Sequence, residues 1–130
     1  MTQTYDAWRR FIAGRDPALL ESLLADEVVF SAPTYWKPRT GKVTVMIVLM
    51  AVTEVLEDFT YHREWIDERD WALEFSARVG DLDLKGIDLV SLDGAGKISG
   101  LEVLIRPPNA VAALRAAMEQ KLRELQAPLS

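Results

Sequence analysis

A chain of 130 residues with 49% hydrophobic and 27% charged side chains has the length of one domain and the composition of a folded globular protein, not a disordered one. Its net charge of −5 argues against a nucleic-acid surface, which needs clustered Lys and Arg. The absence of cysteine excludes disulfides, thiolate catalysis and cysteine-ligated metals.

The chain opens with Tyr5, Trp8, Phe11 and Ile12 at helical spacing, which predicts an amphipathic helix over 4–13 that ends at Gly14. Asp16-Pro17 is a cap followed by a proline suited to the first turn, and Leu19, Leu20, Leu23 and Leu24 give a second short helix through Ala25. Val28, Val29 and Phe30 then read as a short strand over 27–33. Residues 34–41 form a loop with Tyr35 and Trp36 as an aromatic tip. Residues 42–57 are β-branched but too long for a typical strand, so a helix buried on most of its circumference is expected, with Val43, Met46, Ile47 and Met50 among its apolar positions. The longest apolar run, Val45 to Val52, is too short to span a bilayer, and MTQTYDAWRR lacks a signal region, so no membrane contact and a cytoplasmic location are expected.

The second half alternates. Residues 59–66 put Phe59, Tyr61, Arg63 and Trp65 on one face and His62 on the other, and a polar turn at 67–70 leads into a meander. Trp71, Leu73, Phe75, Ala77 and Val79 share one face of its first strand, with Glu74, Ser76 and Arg78 opposite. The next strand aligns Leu82, Leu84, Gly86, Asp88, Val90 and Leu92, leaving Ile87 and Leu89 on the outer face. Asp88 is therefore a carboxylate in phase with core positions, where an unpaired charge is costly. A third strand carries Leu101, Val103 and Ile105 on one face. After Pro107-Pro108, Asn109 can cap a final helix with Val111, Leu114, Met118, Leu122 and Leu125 as its apolar members, ended by Pro128. The expectation is a single α+β domain over 1–130 with helices packed on a curved antiparallel sheet.

LLADEVVFSAP (23–33), Gly41 before the long helix, and above all GIDLVSLDGAGKISGLEVLIRP (86–107) resemble the SnoaL-like, polyketide cyclase-like branch of the nuclear transport factor two-like superfamily. The resemblance implies a cone-shaped α+β barrel closed around an apolar pocket, and dimers through the outer sheet face are common in that family. Its members include polyketide cyclases, steroid isomerases, epoxide hydrolases and dehydratases, so the fold alone leaves the activity open. In SnoaL-like cyclases the aspartate of a G-x-D pattern before a G-K-I turn faces the pocket as acid or base, and Asp88, between Gly86 and Gly96-Lys97-Ile98, matches it. Steroid isomerases use a tyrosine and a protonated aspartate as an oxyanion hole beside a second, basic aspartate. Tyr35 or Tyr61 could supply the tyrosine here, and no second acid matches.

The candidate catalytic residues are thus Asp88, Tyr61 and Tyr35, and the candidate ligand contacts are Trp8, Phe11, Phe30, Trp36, Phe59, Trp71, Phe75 and Arg106. Each has a plainer reading. The aromatics are core residues of which a subset lines a cavity, Arg106 is a strand-end charge or a cap on the pocket mouth, and Asp88 is a core-edge carboxylate paired with Arg63 or Arg106 or a residue turned outward by a bulge. Glu74 and Arg78 read as an outer-face ion network. One histidine with scattered carboxylates gives no metal ligand set. Two functions follow: a cofactor-independent isomerase, cyclase or dehydratase acting on a small apolar carbonyl or ring compound, or a non-catalytic, dimeric binder of an apolar metabolite.

Overall fold

Alternation along the second half of the chain produces three long strands, β4 (Asp70–Val79), β5 (Leu82–Leu92) and β6 (Ile98–Arg106), each paired antiparallel to the next. The computed structural model describes residues 2–126. Ahead of the meander lie α1 (Thr2–Gly14), α2 (Pro17–Leu23), β1 (Leu24–Ser31), β2 (Arg39–Thr40), α3 (Lys42–Val55) and β3 (Glu57–Ile66), and α4 (Pro108–Gln126) follows it. The six strands form one curved, unclosed sheet in the order β2-β1-β6-β5-β4-β3. Its β1–β6 pairing is parallel, an exception to the all-antiparallel expectation that arises because β1 joins the far edge of the meander through the helical connection.

Inward residues of the meander meet the helices on the concave side. Trp71, Leu73, Phe75, Ala77 and Val79 are all buried, as are Leu84, Val90 and Leu92 on the next strand. From the helices, Trp8 and Phe11 of α1, Val45, Val48 and Leu49 of α3, and Ala110, Leu114 and Met118 of α4 fill the space above them. Burial of aromatic and branched side chains at this density is the main source of stability.

Local details depart from the sequence expectation in four places. Helix α2 stops at Leu23 and the strand begins at Leu24, because Leu24 already pairs with Ile98 of β6. Helix α3 is buried or partly buried around most of its circumference, as expected, but two of its expected apolar positions fall on the narrow solvent stripe, Val43 being 72% exposed and Ile47 half exposed. Asn109 is inside α4 instead of capping it. Pro108 takes the first helical position, where its missing N–H costs nothing, and the Pro107 carbonyl accepts from the N–H groups of Ala110 and Val111. Pro128, the expected stop, lies outside the described residues.

The fourth departure concerns β3. Register shifts fall between Glu57 and Thr60 and between Tyr61 and Glu64. Tyr61 stands opposite Phe75 on the inner face, but the second bulge places Glu64, not Arg63, opposite Leu73. An extra residue reverses the faces of everything beyond it. Arg63 and Trp65, expected to share the side of Tyr61, therefore turn outward, while Glu64 turns inward to meet Tyr5 and Arg9 of α1.

Gly86 carries a packing constraint. A Cβ there would lie 2.5 Å from Phe75 Cζ and 2.6 Å from the Leu104 carbonyl oxygen, the first a ring stacked on Phe59 at 4.7 Å and the second a ladder backbone atom. Gly86→Ala should cost about 1 to 3 kcal/mol through overpacking. Gly100→Ala, whose Cβ meets only Ser91 at ordinary distance, should stay within about 0.5 kcal/mol of wild type. Equal denaturation midpoints for the two variants would refute this account.

Candidate functional site

Asp88 stands on β5 in register with Leu73 on one side and Val103 on the other, so its side chain leaves the concave face of the sheet among apolar neighbours. It is 6% exposed. Its Oδ2 accepts a hydrogen bond of 2.6 Å from the Tyr61 hydroxyl, and the Tyr61 oxygen in turn accepts from Trp8 Nε1–H at 3.0 Å. Strand β3 presents Tyr61 just before its second bulge, and α1 presents Trp8, so the chain of hydrogen bonds ties three elements together. The Arg9 guanidinium carbon lies 5.2 Å from the centre of the Tyr61 ring.

A cavity of about 90 Å³ opens beside Asp88, walled by Trp8, Phe11, Phe30, Phe59 and Phe75. Those five aromatics were expected as ligand contacts. The sequence reading missed Leu49, Val52, Thr53 and Leu56, which face the same space. Their spacing at i, i+3, i+4 and i+7 is a helical face, a signal present in the sequence but masked by the uniform hydrophobicity of the helix. Leu114 of α4 closes the wall, and Thr53 is satisfied by donating to the Met50 carbonyl at 2.9 Å. Asp88 is thus the one titratable side chain lining this cavity. It offers a single metal-ligating group, well short of a coordination set.

Burial without an opposing charge governs the site's electrostatics. Desolvation pushes the Asp88 carboxyl from 3.8 up to about 7, and the hydrogen bond from Tyr61 opposes this only in part. The Tyr61 hydroxyl is driven well above its ordinary range by burial and then by the neighbouring Asp88 charge. On the other face of the sheet the reverse holds: the Arg63 guanidinium forms a two-pronged pair with Glu74, at 2.8 and 2.6 Å, and holds that carboxyl at about 2.

Several expected site residues lie elsewhere. Arg63 is committed to Glu74, and Arg106 is exposed on the outer face opposite Lys85, so neither pairs with Asp88. Arg106 is no cap on this cavity. Tyr35 does not reach Asp88: it belongs to the 32–38 loop, lines a second cavity and carries the Arg39 and Arg115 guanidiniums against its ring. Trp36, at the loop tip, is 99% exposed and lines nothing. Trp71 is buried on the inner face but stacks edge-on against Tyr5 and borders a separate cleft with Trp65 and Ile66. His62 faces outward, 2.7 Å from Ser76 Oγ. Glu74 and Arg78 do not pair with each other, and Arg78 instead meets Asp58 and Glu57.

No family model and no curated protein matches the chain. Solved structures do. A steroid Δ-isomerase from Pseudomonas aeruginosa is 41% identical, with a TM-score of 0.93 over 97% of this chain and 93% of that one. A bacterial protein with a cystatin-like fold from Silicibacter pomeroyi is 42% identical, with a TM-score of 0.87 over 91% of this chain and 84% of that one. An NTF2-like protein of unknown function from Cytophaga hutchinsonii shares the fold at 20% identity, with a TM-score of 0.64 over 82% of this chain and 92% of that one. The chain belongs to the nuclear transport factor two-like superfamily.

The raised Asp88 pKa makes a stability prediction. Because folding favours the protonated carboxyl, this group's contribution is full below 3.8 and is lost as pH rises through about 7. The loss is on the order of 4 kcal/mol. Thermal melts of wild type should fall relative to Asp88→Asn between pH 5 and 8, and the variant should melt no lower than wild type at pH 8. A wild-type advantage that grows with pH over this interval would overturn the assignment.

Proposed function

We propose that the cavity binds a small apolar molecule bearing a carbonyl group and that Asp88 exchanges a proton with it, without a cofactor, in an isomerase-type reaction. One observation carries the reading: among the described residues, a carboxyl with a pKa of about 7 is the sole titratable group lining a mainly apolar cavity, whose other polar side chain, Thr53, is turned to the Met50 carbonyl. A general base with its pKa near ambient pH is the efficient one. The G-x-D match to SnoaL-like cyclases and the likeness to a steroid Δ-isomerase support the same reading.

A single carboxylate suffices for a 1,3-proton shift. Asp88 takes a proton from the carbon next to the carbonyl, so that a C–H bond breaks, an O–H bond forms and an enolate develops; the same proton then returns to the γ-carbon and the double bond moves. Tyr61 has one O–H, which the Asp88 carboxylate holds in the resting form. Once protonated, Asp88 itself is the donor that faces the enolate oxygen, while Tyr61, which does not line the cavity, holds the Asp88 carboxyl in place and is held in turn by the Trp8 N–H. No second acid lines the cavity, so the base and the acidic oxyanion donor cannot be separate aspartates as in ketosteroid isomerase. At about 90 Å³, the cavity in this closed form is also well below the volumes of about 300 Å³ and more that hold drug-sized ligands.

The commitment of the Tyr61 hydroxyl to Asp88 favours one alternative, a binder in which protonated Asp88 donates to a ligand carbonyl without turnover. The two readings have opposite pH dependence. With a β,γ-unsaturated ketone, catalysed double-bond migration should rise with pH to a plateau above about 7, as Asp88 ionises. Asp88→Asn should lower the rate at least ~100-fold. Affinity for a saturated ketone that falls through the same pH interval, with no migration at any pH, would establish the binder instead.

We also propose a homodimer through the outer sheet face. Ile87 and Leu104 stand side by side there, with Leu89 on an adjacent rung, and Leu104 and Trp65 are about half exposed. Sedimentation at tens of micromolar, where interfaces of micromolar affinity are populated, should give a dimer that Ile87→Glu dissociates. A monomeric wild type would end this proposal.

A further inference from the structure

Trp8, Tyr61 and Asp88 meet in an order that fixes where each proton lies. An indole N–H is a donor only, so the Tyr61 oxygen accepts from Trp8 Nε1 at 3.0 Å and its own O–H must point elsewhere. Among the described residues the one acceptor it reaches is Asp88 Oδ2, at 2.6 Å. The same holds in both protonation states of the carboxyl. A proton on Oδ2 would set two O–H groups head to head, or turn the Tyr61 O–H unpartnered into hydrocarbon. The proton of the neutral acid therefore belongs on Oδ1. That oxygen makes no hydrogen bond among the described residues, and it is not enclosed: Trp71 Nε1 is the one side-chain polar atom among them that is both unpartnered and fully buried. Since Asp88 lines the cavity, Oδ1 is the oxygen that opens onto it.

We propose that Trp8 is a positioning residue: by holding the Tyr61 oxygen as an acceptor, it commits the Tyr61 O–H to Asp88 Oδ2 and reserves Oδ1 as the oxygen that exchanges a proton with the ligand. This rests on the reading of the cavity as a site of proton exchange and adds which oxygen acts and what assigns it. In the step itself the C–H bond beside the carbonyl breaks as the Oδ1–H bond forms, and its electron pair passes into the enolate. The proton then returns from Oδ1 to the γ-carbon, so nothing is consumed. Throughout, the Tyr61 O–H stays on Oδ2. Burial raises the Asp88 carboxyl and the Tyr61 hydrogen bond lowers it; burial and the Asp88 charge raise the Tyr61 hydroxyl and the Trp8 N–H lowers it. The indole thus makes the tyrosine a better donor to the ionised carboxylate. Of the charged groups nearby, Arg9 of α1 lies 5.2 Å from the Tyr61 ring centre and is paired with Glu64 of β3 at 3.0 Å. From α3, α4, β4 and β6 only uncharged side chains face the cavity.

Carbon NMR of the Asp88 carboxyl, assigned by the loss of its signal in Asp88→Asn, tests this without a ligand. Tyr61→Phe should raise the titration midpoint by about one pH unit, the scale of a hydrogen bond to a charged group. Trp8→Phe should raise it by about 0.3 unit more with the Tyr61 hydroxyl present than in the Tyr61→Phe background, a fraction of that bond. Any effect of the smaller ring on hydration of the cavity cancels in this difference. Should Trp8→Phe lose its fold, benzothienylalanine at position 8, with sulfur in place of the N–H, keeps the bulk of the ring and should give the same difference. With a β,γ-unsaturated ketone, the midpoint of the pH–rate profile should move with the titration. Equal effects of the Trp8 replacement in the two backgrounds, or a difference of opposite sign, overturn the inference and leave the cavity reading intact. The expected titration, with neither migration of the unsaturated ketone nor binding of a saturated one, overturns the cavity reading and the role of Oδ1 together.

Discussion

A carboxyl group on the concave face of a sheet must either find a counter-charge or keep its proton, and in this fold Asp88 has only a tyrosine hydroxyl. The hydroxyl must be placed accurately to hold it, so the Asp88 environment reaches beyond β5. Strand β3 sets Tyr61 opposite Phe75, Phe75 lies over Gly86 because no Cβ intervenes, and α1 brings Trp8 to the tyrosine oxygen. Removing any of these supports leaves a buried polar group without its partner, which costs more than the hydrogen bond itself stabilises.

Asp88 and Glu74 show how completely surroundings set the behaviour of similar groups. They belong to neighbouring strands, and each is less than one-tenth exposed. Glu74 faces Arg63 and Lys85 on the outer side and stays ionised, while Asp88 faces hydrocarbon and resists ionisation. The sheet is one backbone thick. Side-chain direction therefore decides whether an acid is held ionised by cations or kept protonated by hydrocarbon.

Much of this arrangement is legible in the sequence because the meander obeys a period of two without interruption from Asp70 to Val79, and Asp88 breaks the apolar pattern on the next strand. The same rule fails on β3, where a bulge adds a residue that no composition signal marks, and Arg63 was consequently set beside Tyr61. Aromatic character alone misplaced Trp36 and Tyr35: a loop can carry large rings into solvent or against arginines as readily as into a cavity. Helix α3 concealed its inward face because nearly every residue in its first three turns is apolar, leaving no polar stripe to contrast with it. The parallel β1–β6 pair joins segments some 70 residues apart in the sequence, beyond the reach of any local pattern.

The bulges that complicate β3 also bear on what the borders of the sheet can accept. Strand β3 is one border of the sheet, and its hydrogen-bonding edge is interrupted twice, with Asp58 in a left-handed conformation at φ 55° and charged side chains at Glu57, Asp58 and Arg63. At the other border β2 is only two residues long. Neither rim offers a straight run of free amide and carbonyl groups on which a further strand could grow. A sheet so terminated resists the open-ended, edge-to-edge stacking that leads to fibres.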